Sequence, residues 1–545
     1  RDQLKERMAP PAFVGLREML RAVVQRDVLR ACKQSGWLVL VLDEGASRVL
    51  TPILGMYDLM EEGVTLVESL EKKRQPFPEF DVIYVVETAS IRKVIGDWNN
   101  KLDYPYRNAH VFTLSSLSDD DVADLGATSE LAKRLKTLSE LNLDFLAVES
   151  QAYSLGAPSA FSTPSGASSP SLSADEKDAA RRFATVVATL GETAPIFRYR
   201  SERARTFAEE SKALAKAMTP KGAKSSKKGE RGHKRPPATV LIVDRADDPL
   251  SPLLHEYTYQ AMVQDMLEVD GECRDRVTTT TATKGGETKE EVTLLNEKDA
   301  LWVEFRHVHV ATVVDELRKR VSDFLTHNAG ATKLARGAGG ELSLGEMSAA
   351  LKKMPEFQAA TAAMNKHMGI AGDCLGRFQM WKVLETSQLE QTLATGVDDD
   401  GEKVTSPRTL LNEVCELLAG ILAQSQSPSQ KEHVMRLVAI YFVARGGKLA
   451  EKERNQILEA LEPSSAHREA LLALSRLMAA QDEGKVPAMV QAQRLAPIVA
   501  SIAGKKPTRS GPAKKKASSF SVLRSAIRSA ARSGALDDDA AAAAE

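Results

Sequence analysis

The chain has 545 residues, more than one hydrophobic core supports, so we expect roughly two to four domains. The formal net charge of -1 argues against a protein that binds nucleic acid over its whole length. The four cysteines form no CxxC pair, so they indicate neither a disulfide framework nor a zinc site and favour a reducing compartment. No apolar run approaches the ~18 residues that span a bilayer. Because the first residue is Arg1, we expect the native amino terminus to be incomplete in this chain.

Residues 1–150 alternate between strand-like and helical patterns. Short apolar runs, typical of buried strands, lie at 37–42, 64–70, 80–86, 110–114 and 143–148. Helical patterns lie at 16–24, 53–62, 91–98 and 119–125. Such alternation predicts right-handed βαβ units and a parallel sheet covered by helices on both faces. We therefore predict an amino-terminal α/β domain over residues 1–150.

Residues 151–248 are predicted to form a second α/β domain with two flexible insertions. The composition of 154–174 is almost entirely Ser, Ala, Gly and Pro, which cannot build a core. The second insertion, 212–236, is strongly basic and rich in Gly and Ser. Because no aromatic residues interleave with its charges, we favour a solvated loop over a nucleic-acid-binding segment.

The stretch 239–267 is central to the interpretation. Its apolar run, 239–243, is typical of a strand buried on both faces. A charged turn follows, and then apolar side chains recur at helical spacing: Tyr259, Met262, Val263, Met266 and Leu267. Two interpretations of the acidic turn stay open. It could hold a metal or phosphate, as the carboxyl ends of strands do in open α/β enzymes, or it could be a structural joint whose carboxylates cap the turn and pair with Arg245.

The region 249–480 is predicted to be mostly helical. Its first part is ambiguous: 278–281 and 291–295 fit strand or loop, and 300–305 fits a strand or the start of a helix. A helix is predicted over 310–325, a mobile glycine-rich segment over 328–345, and further helices from 346 to 477. For the basic tail, 481–545, we favour disorder over an amphipathic helix that lies on an anionic membrane or binds a calmodulin-type partner.

No complete catalytic motif accompanies this architecture. The glycines at 337–340 lack the last glycine of a dinucleotide-binding motif, and no P-loop or GxSxG elbow is present. One enzymatic alternative is an α/β phosphotransferase that uses Asp244, Asp247 or Asp248 with magnesium. Its two aspartates would have to lie two residues apart, and Asp244 and Asp247 do not. We therefore expect no catalytic residue, no metal site and no cofactor.

Several stretches run in a recognisable order from about residue 13 to 480. They include WLVLVLDEGASRVLTPILGMYDLMEEGVTLVESLEKKRQPFPEFDVIYVVET, YRNAHVFTL, VLIVDRADDPLSPLLHEYTYQAMVQDML, LWVEFRHVHVATVVDEL and MSAALKKMPEFQ. Together they resemble the SM (Sec/Munc) family of syntaxin-binding proteins that regulate SNARE assembly. The likeness is to the plasma-membrane, secretory branch of that family.

The resemblance implies an arch of three domains, with α/β sheets in the first two and a largely helical third. It implies a cytoplasmic, non-enzymatic SNARE chaperone, associated peripherally with the plasma membrane or secretory vesicles. Such a protein binds a syntaxin in a central cleft, engages the assembled SNARE complex and the vesicle SNARE, and promotes membrane fusion in exocytosis. A membrane-tethering scaffold that uses the basic tail is a further alternative.

The resemblance also implies site residues. By position, Arg48, Glu68 and Arg74 match cleft residues that contact syntaxin. In a helical hairpin at about 343–367, Pro355 matches the proline at which the hairpin bends or extends. Phe357 matches an aromatic residue that engages the vesicle SNARE. The simpler alternatives are that Arg48 and Glu68 are ordinary surface charges and that Pro355 ends a helix.

With the family in view, the acidic turn is interpreted as a structural joint formed by Asp244, Arg245, Asp248 and Pro249. Two departures from the family pattern stand out. Gly55 occupies the position of a cleft lysine of animal members, which puts part of the electrostatic contact with syntaxin in doubt. After residue 478 the strands that normally complete the second domain are missing, so that this domain is truncated, rebuilt or affected by an error in the gene model.

Overall fold

The structure is a computed structural model. It describes residues 15–33, 36–99, 105–156, 172–192, 194–218, 237–243, 248, 250–282, 288–327, 344–398, 400–404, 406–423, 428–446, 449–461 and 471. The chain divides into two compact units, one formed by Arg1–Thr163 with Ser168–Asp244 and the other by Pro164–Ala167 with Arg245–Glu545. The finer division into domains at 1–150, 151–248, 249–480 and 481–545 stays a prediction.

The first unit contains a five-stranded parallel sheet with strand order β2-β1-β3-β4-β5. Its strands are β1 Leu38–Leu42, β2 Val64–Ser69, β3 Asp81–Val86, β4 Ala109–Thr113 and β5 Leu135–Glu140. The accompanying helices are α1 Leu16–Val24, α2 Glu44–Leu50, α3 Met56–Glu61, α4 Ile91–Trp98, α5 Asp119–Ala127 and α6 Ser129–Arg134. The predicted parallel α/β fold is confirmed.

Helices cover both faces of this sheet. Both β1 and β3 are buried at every position, as central strands of a doubly covered sheet are. Successive side chains of a strand point to opposite faces of the sheet. Leu40 lies in the core between the sheet and helices α1 and α2, and we call this side of the sheet the first face. Val41 lies in the core between the sheet and helix α4, and we call this side of the sheet the second face.

Two predictions for this unit are wrong in detail. The fifth strand of the sheet is β5, whereas 143–148 contains only the two-residue strand β6 Leu146–Ala147, paired with β7 Tyr153–Ser154. The edge strand β5 has a half-polar sequence, LKTLSE, and lacks the apolar run that marks a central strand. Helix α2 was not predicted either, although Asp43 provides its N-cap by accepting a hydrogen bond from the Ala46 amide at 2.8 Å.

The rest of the first unit contains a further two-stranded sheet. Helix α7 Ala174–Thr189 precedes β8 Ile196–Tyr199, and α8 Glu202–Met218 precedes β9 Thr239–Ile242. The strands β8 and β9 pair in parallel. The prediction that 239–243 is buried on both faces is wrong, because Leu241 and Val243 are 69% and 67% exposed. One face of β9 packs on the first-face core through Val240, and the other is open among the described residues.

The second unit is largely helical. An antiparallel sheet is formed by β10 Glu268–Asp270, β11 Arg276–Ala282 and β12 Thr288–Leu294. The helices are α9 Tyr259–Met266, α10 Ala300–Phe305, α11 Val310–His327, α12 Leu344–Met380, α13 Val383–Thr395, α14 Leu411–Leu422, α15 Pro428–Arg445 and α16 Glu451–Leu461. All five residues of the predicted apolar stripe are buried; four lie on α9, and Leu267 directly follows its last residue.

The ambiguous and helical predictions for this unit have clear outcomes. Residues 278–281 and 291–295 fall largely within the hairpin of β11 and β12, and 300–305 is a helix. The stretch predicted as a hairpin, about 343–367, is instead part of the single helix α12, which continues through Pro355. An internal proline removes one backbone hydrogen bond and its ring crowds the preceding turn, at a cost of about 3 kcal/mol, so the rest of this long helix has to offset that cost. In the described ranges, no helix is both long and apolar enough to cross a membrane.

Candidate functional site

The structure brings Glu68 and Arg74 together on the second face of the sheet. The Arg74 side chain is only 9% exposed and lies 4.0 Å from a Glu68 carboxylate oxygen. It donates a hydrogen bond to the Ser69 carbonyl at 2.6 Å and forms an ion pair with Asp97 of α4. Tyr84 on β3 also donates to Asp97, at 3.0 Å. Arg74 therefore ties the segment after β2 to the covering helix α4.

Burial determines the electrostatics of this network. It raises the pKa of the Asp97 carboxyl, even though the hydrogen bonds and the charge of Arg74 oppose the shift. Burial also raises the pKa of Tyr106, whose hydroxyl lies 3.4 Å from Glu68. Glu68 retains 18% exposure of its side chain. Of the two predicted residues here, Glu68 is the one whose side chain is more exposed to solvent.

Arg48 lies elsewhere, on α2, which packs on the first face. Its Nε is buried and makes no hydrogen bond within the described residues. Its guanidinium lies against Gly156, where a built Cβ would be 3.3 Å from Arg48 Nη2 and 2.9 Å from Arg182 Nη1. Gly156 also has a φ of 61°, a left-handed conformation that favours glycine. Two arginines therefore converge on a loop that leaves no room for a side chain.

The acidic groups around Arg48 come from the carboxyl ends of the strands. Asp43, after β1, accepts a hydrogen bond from the Glu87 amide, after β3, at 2.7 Å. Burial raises the pKa of the Glu87 carboxyl, and Asp43 and Asp144 raise it further, while Arg182 and Arg48 oppose the shift. Because α2 packs on the first face and the Glu68–Arg74 network lies on the second, the three predicted cleft residues form two separate groups.

The second unit places Pro355 and Phe357 on α12. Pro355 is exposed, and Phe357 is buried with 7% exposure. The Phe357 ring stacks on Phe324 of α11, with ring centroids 5.3 Å apart and an interplanar angle of 20°. The aromatic position implied by the family therefore joins the two long helices α11 and α12.

A cavity of 490 Å³ opens beside this aromatic pair. It is lined by residues of α10, α11 and α12, namely Leu301, Arg320, Asp323, Phe324, Ala360, Ala363 and Met364. We call it the groove. The two alanines of α12 leave space between the helices, and Arg320 and Asp323 supply charge on the α11 side. An apolar groove of this kind is suited to the apolar stripe of another helix.

The acidic turn is described only in part. Asp248 accepts a hydrogen bond from the Ser251 amide at 3.0 Å, at the start of a short 3-10 helix, Ser251–Leu253. This contact fits a turn-capping role. Asp244, Arg245, Asp247 and Pro249 lie outside the described residues. Within the described ranges, no group of three or more His, Cys, Asp or Glu side chains is arranged to hold a metal ion.

Sequence reasoning missed a buried polar network in the second unit. His255 Nδ1 lies 2.8 Å from a Glu390 carboxylate oxygen, and His255 Nε2 lies 3.0 Å from His433 Nδ1. Burial raises the pKa of Glu390 to about 8 and lowers those of both histidines to about 3. The group therefore carries no net charge at neutral pH. Its members are 135 and 178 residues apart, so no local motif indicates it.

A family model described as the Sec1 family matches residues 38–524 of the chain. This match covers most of the 545 residues. The chain belongs to the Sec1 family. The family assignment inferred from sequence stretches is thus confirmed, and the matched region extends beyond residue 480, where the resemblance had been traced.

Curated Sec1 relatives support the same assignment. The chain is 30% identical over 450 residues to the protein transport protein sec1 of Dictyostelium discoideum, covering 82% of this chain and 71% of that protein. It is 29% identical over 425 residues to the probable protein transport Sec1a of Oryza sativa subsp. japonica, covering 73% and 62%. It is 27% identical over 490 residues to the SNARE-interacting protein KEULE of Arabidopsis thaliana, covering 87% and 70%.

Solved structures show the fold. The Unc18–syntaxin 1 complex from Monosiga brevicollis matches with a TM-score of 0.68 at 24% identity, covering 96% of this chain and 87% of that chain. The SM protein Vps45 in complex with the Qa SNARE Tlg2 matches with a TM-score of 0.62 at 19% identity, covering 85% and 79%. At these identities the likeness concerns architecture, and it confirms the predicted SM fold.

Proposed function

We propose that this Sec1-family protein binds a syntaxin-type SNARE and regulates SNARE assembly during vesicle docking and fusion in exocytosis. The observation that carries the proposal is the family match over residues 38–524. The name of the Arabidopsis relative supports it, as do the two structural neighbours, which are complexes with syntaxin 1 and a Qa SNARE. The protein acts by binding, without enzymatic activity.

In the first unit, the proposed syntaxin contacts are Arg48, Glu68 and Arg74. Arg48 is half-buried and its Nε is buried, so the proposed contact with an acidic or carbonyl group of syntaxin would be made by the rest of its guanidinium. Arg74 is largely committed to Asp97, so its main role is to hold the segment that carries Glu68. Any contact that Arg74 itself makes with syntaxin is correspondingly small.

In the second unit, the proposed partner of the groove is the SNARE-motif helix of a vesicle SNARE. Its apolar side chains would occupy the space beside Ala360 and Ala363, next to the stacked pair of Phe324 and Phe357. Helix-in-groove recognition uses apolar residues at helical spacing in the ligand, which SNARE motifs supply as coiled-coil-forming helices. The exposed Pro355 lies one turn before the groove on α12.

We assign the protein to the cytoplasm, with peripheral association with the plasma membrane or secretory vesicles through its SNARE partners. A tethering scaffold that uses the basic tail would instead bind liposomes without SNAREs. Flotation of the full chain and of a chain lacking residues 504–545, with and without a membrane-anchored syntaxin, separates the two. Recruitment that requires syntaxin and survives truncation is the result we expect.

The principal test is a pull-down of the full chain with the cytosolic domain of each syntaxin of the organism. We expect at least one syntaxin to bind. Failure of every cytosolic syntaxin domain to bind would refute the proposed function. Asp244→Asn is a useful companion variant, because a phosphotransferase would lose activity with it and a SNARE-binding protein would not lose binding.

A further inference from the structure

A single carboxylate, that of Asp299, joins two helices of the second unit. It caps α10 by accepting hydrogen bonds from the Leu301 amide at 3.1 Å and the Trp302 amide at 3.0 Å. The same carboxylate forms an ion pair with Lys366 of α12 and lies 3.1 Å from His367 Nε2. Asp299 is thus both the N-cap of α10 and the anchor of the middle of α12.

The His367 side chain is fully buried and has a partner on each ring nitrogen. Its Nε2 faces Asp299, and its Nδ1 lies 3.0 Å from the Tyr259 hydroxyl of α9. The neutral tautomer with the proton on Nε2 satisfies both contacts, because it donates to the carboxylate and accepts from the hydroxyl. Burial also lowers the pKa of His367, which favours the neutral ring. Helices α9, α10 and α12 therefore meet at this imidazole.

These contacts lie at the wall of the groove. Leu301 follows Asp299 by two residues on α10, and Ala363 and Met364 precede Lys366 by three and two residues on α12. Lining residues of both α10 and α12 thus lie within one turn of a residue that contacts this carboxylate or supplies it. The bond between Lys366 and Asp299 is partly solvent-exposed, since the Lys366 side chain is 32% exposed.

We propose that Asp299 is a positioning residue that, through Lys366 and His367, sets the separation of α10 and α12 and thereby the width of the groove for a SNARE helix. The proposal rests on the proposed function of the groove. It assigns no direct contact with the SNARE to Asp299 or His367. Its consequence is that loosening the ion pair weakens binding at the groove while the fold persists.

The variants separate the ion pair from the other roles of these residues. Lys366→Met removes the ammonium and keeps the apolar stem, whereas Lys366→Arg keeps the charge. Asp299→Asn retains a good N-cap for α10 and loses the charge that holds Lys366. Lys319→Met, at an exposed lysine of α11, is the matched control for the loss of one positive charge.

The measurement is the affinity of the full chain for each vesicle-SNARE motif of the organism, by fluorescence anisotropy of the labelled motif. Thermal unfolding and syntaxin pull-down on the same samples report the fold and the other site. We expect Lys366→Met and Asp299→Asn to bind about tenfold more weakly. We expect Lys366→Arg and Lys319→Met to bind within about twofold of the unaltered protein, and syntaxin binding to be unchanged.

Two outcomes would overturn the positioning role alone: equal affinity of the unaltered protein and Lys366→Met, or a Lys366→Arg variant as weak as Lys366→Met. Absence of vesicle-SNARE binding by the unaltered protein would overturn the proposal together with the proposed function of the groove. Hydrogen exchange of the amides in α10 gives a second test. Faster exchange in Lys366→Met than in Lys319→Met is expected, and equal exchange would contradict the proposed coupling of α10 to α12.

Discussion

Replacing Glu390 with glutamine should make the second unit less sensitive to alkaline pH. The Glu390 side chain is fully buried beside His255, and burial raises its pKa from the ordinary 4.5 to about 8. A glutamine keeps the shape and both kinds of contact, because its amide donates to His255 Nδ1 and its carbonyl accepts the His255 backbone N–H. The variant therefore retains the hydrogen bonds of the protonated acid, but its amide does not titrate.

The sign of the pH effect follows from where the proton is held. Between pH 6.5 and pH 8 the unfolded chain has already lost the Glu390 proton, while the folded unit still keeps most of it. The contribution of Glu390 to stability therefore falls as pH rises, by up to 1.36 kcal/mol per pH unit, or about 2 kcal/mol over this interval. The histidines His255 and His433, with pKa values lowered to about 3, remain neutral in the folded state throughout it.

Thermal unfolding at pH 6.5 and pH 8, followed by circular dichroism, measures the difference. When the pH is raised from 6.5 to 8, we expect the Tm of the unaltered protein to fall by about 4 °C more than the Tm of the Glu390→Gln variant. Glu385→Gln, at an exposed position on the same helix α13, is the control, and its Tm should fall as much as that of the unaltered protein. Parallel loss of Tm in all three proteins would refute the assignment of a buried, protonated Glu390.

Three further variants test the proposed binding surfaces. Arg48→Ala should weaken syntaxin binding by about tenfold and leave the Tm almost unchanged, because Arg48 is half-buried and its Nε makes no hydrogen bond within the described residues; a large fall in Tm would point to a structural role. Phe357→Ala should lower the free energy of unfolding, measured with urea, by about 3 kcal/mol, since the buried ring and its stack on Phe324 are lost; Phe357→Leu keeps most of the apolar volume and should lose less than half of that, and equal losses would contradict a main contribution from buried volume. Pro355→Ala restores a helical N–H donor in α12 and should strengthen vesicle-SNARE affinity and liposome fusion, whereas no change in either would argue against a role for Pro355.

Much of the fold follows from local pattern. The apolar runs of β1 and β3 are long enough to identify central strands, and the apolar stripe of α9 is buried at every position. The local sequence pattern does not predict an element that is stabilised mainly by its surroundings in the fold. The half-polar strand β5 exists because the edge of β4 offers it a parallel partner. Helix α12 continues through Pro355, which disfavours a helix interior, beside Phe357, which packs on α11.

The candidate site was predictable only in part, because its contacts join residues that are distant in sequence. Family likeness singled out Glu68 and Arg74, and the structure brings them within 4.0 Å of each other. The family likeness did not indicate that Arg48 would lie with the helices of the first face. A residue's position along the chain does not tell which face of a sheet its helix covers. The partners of Asp299 on α12 are 67 and 68 residues away, beyond the range of any helical or strand period.

The segment that follows the acidic turn shows how local and distant information combine. Every second residue of this segment is buried in the helical core, namely His255, Tyr257 and Tyr259. His255 contacts Glu390 on α13, Tyr257 bonds to a serine of the same helix and packs on α12, and Tyr259 bonds to His367 on α12. One five-residue segment thus supplies polar contacts to both α12 and α13. This segment, which follows the turn that first suggested catalysis, therefore anchors α12, which lines the groove. A substitution at Tyr259 should alter SNARE binding through α12 without touching the SNARE.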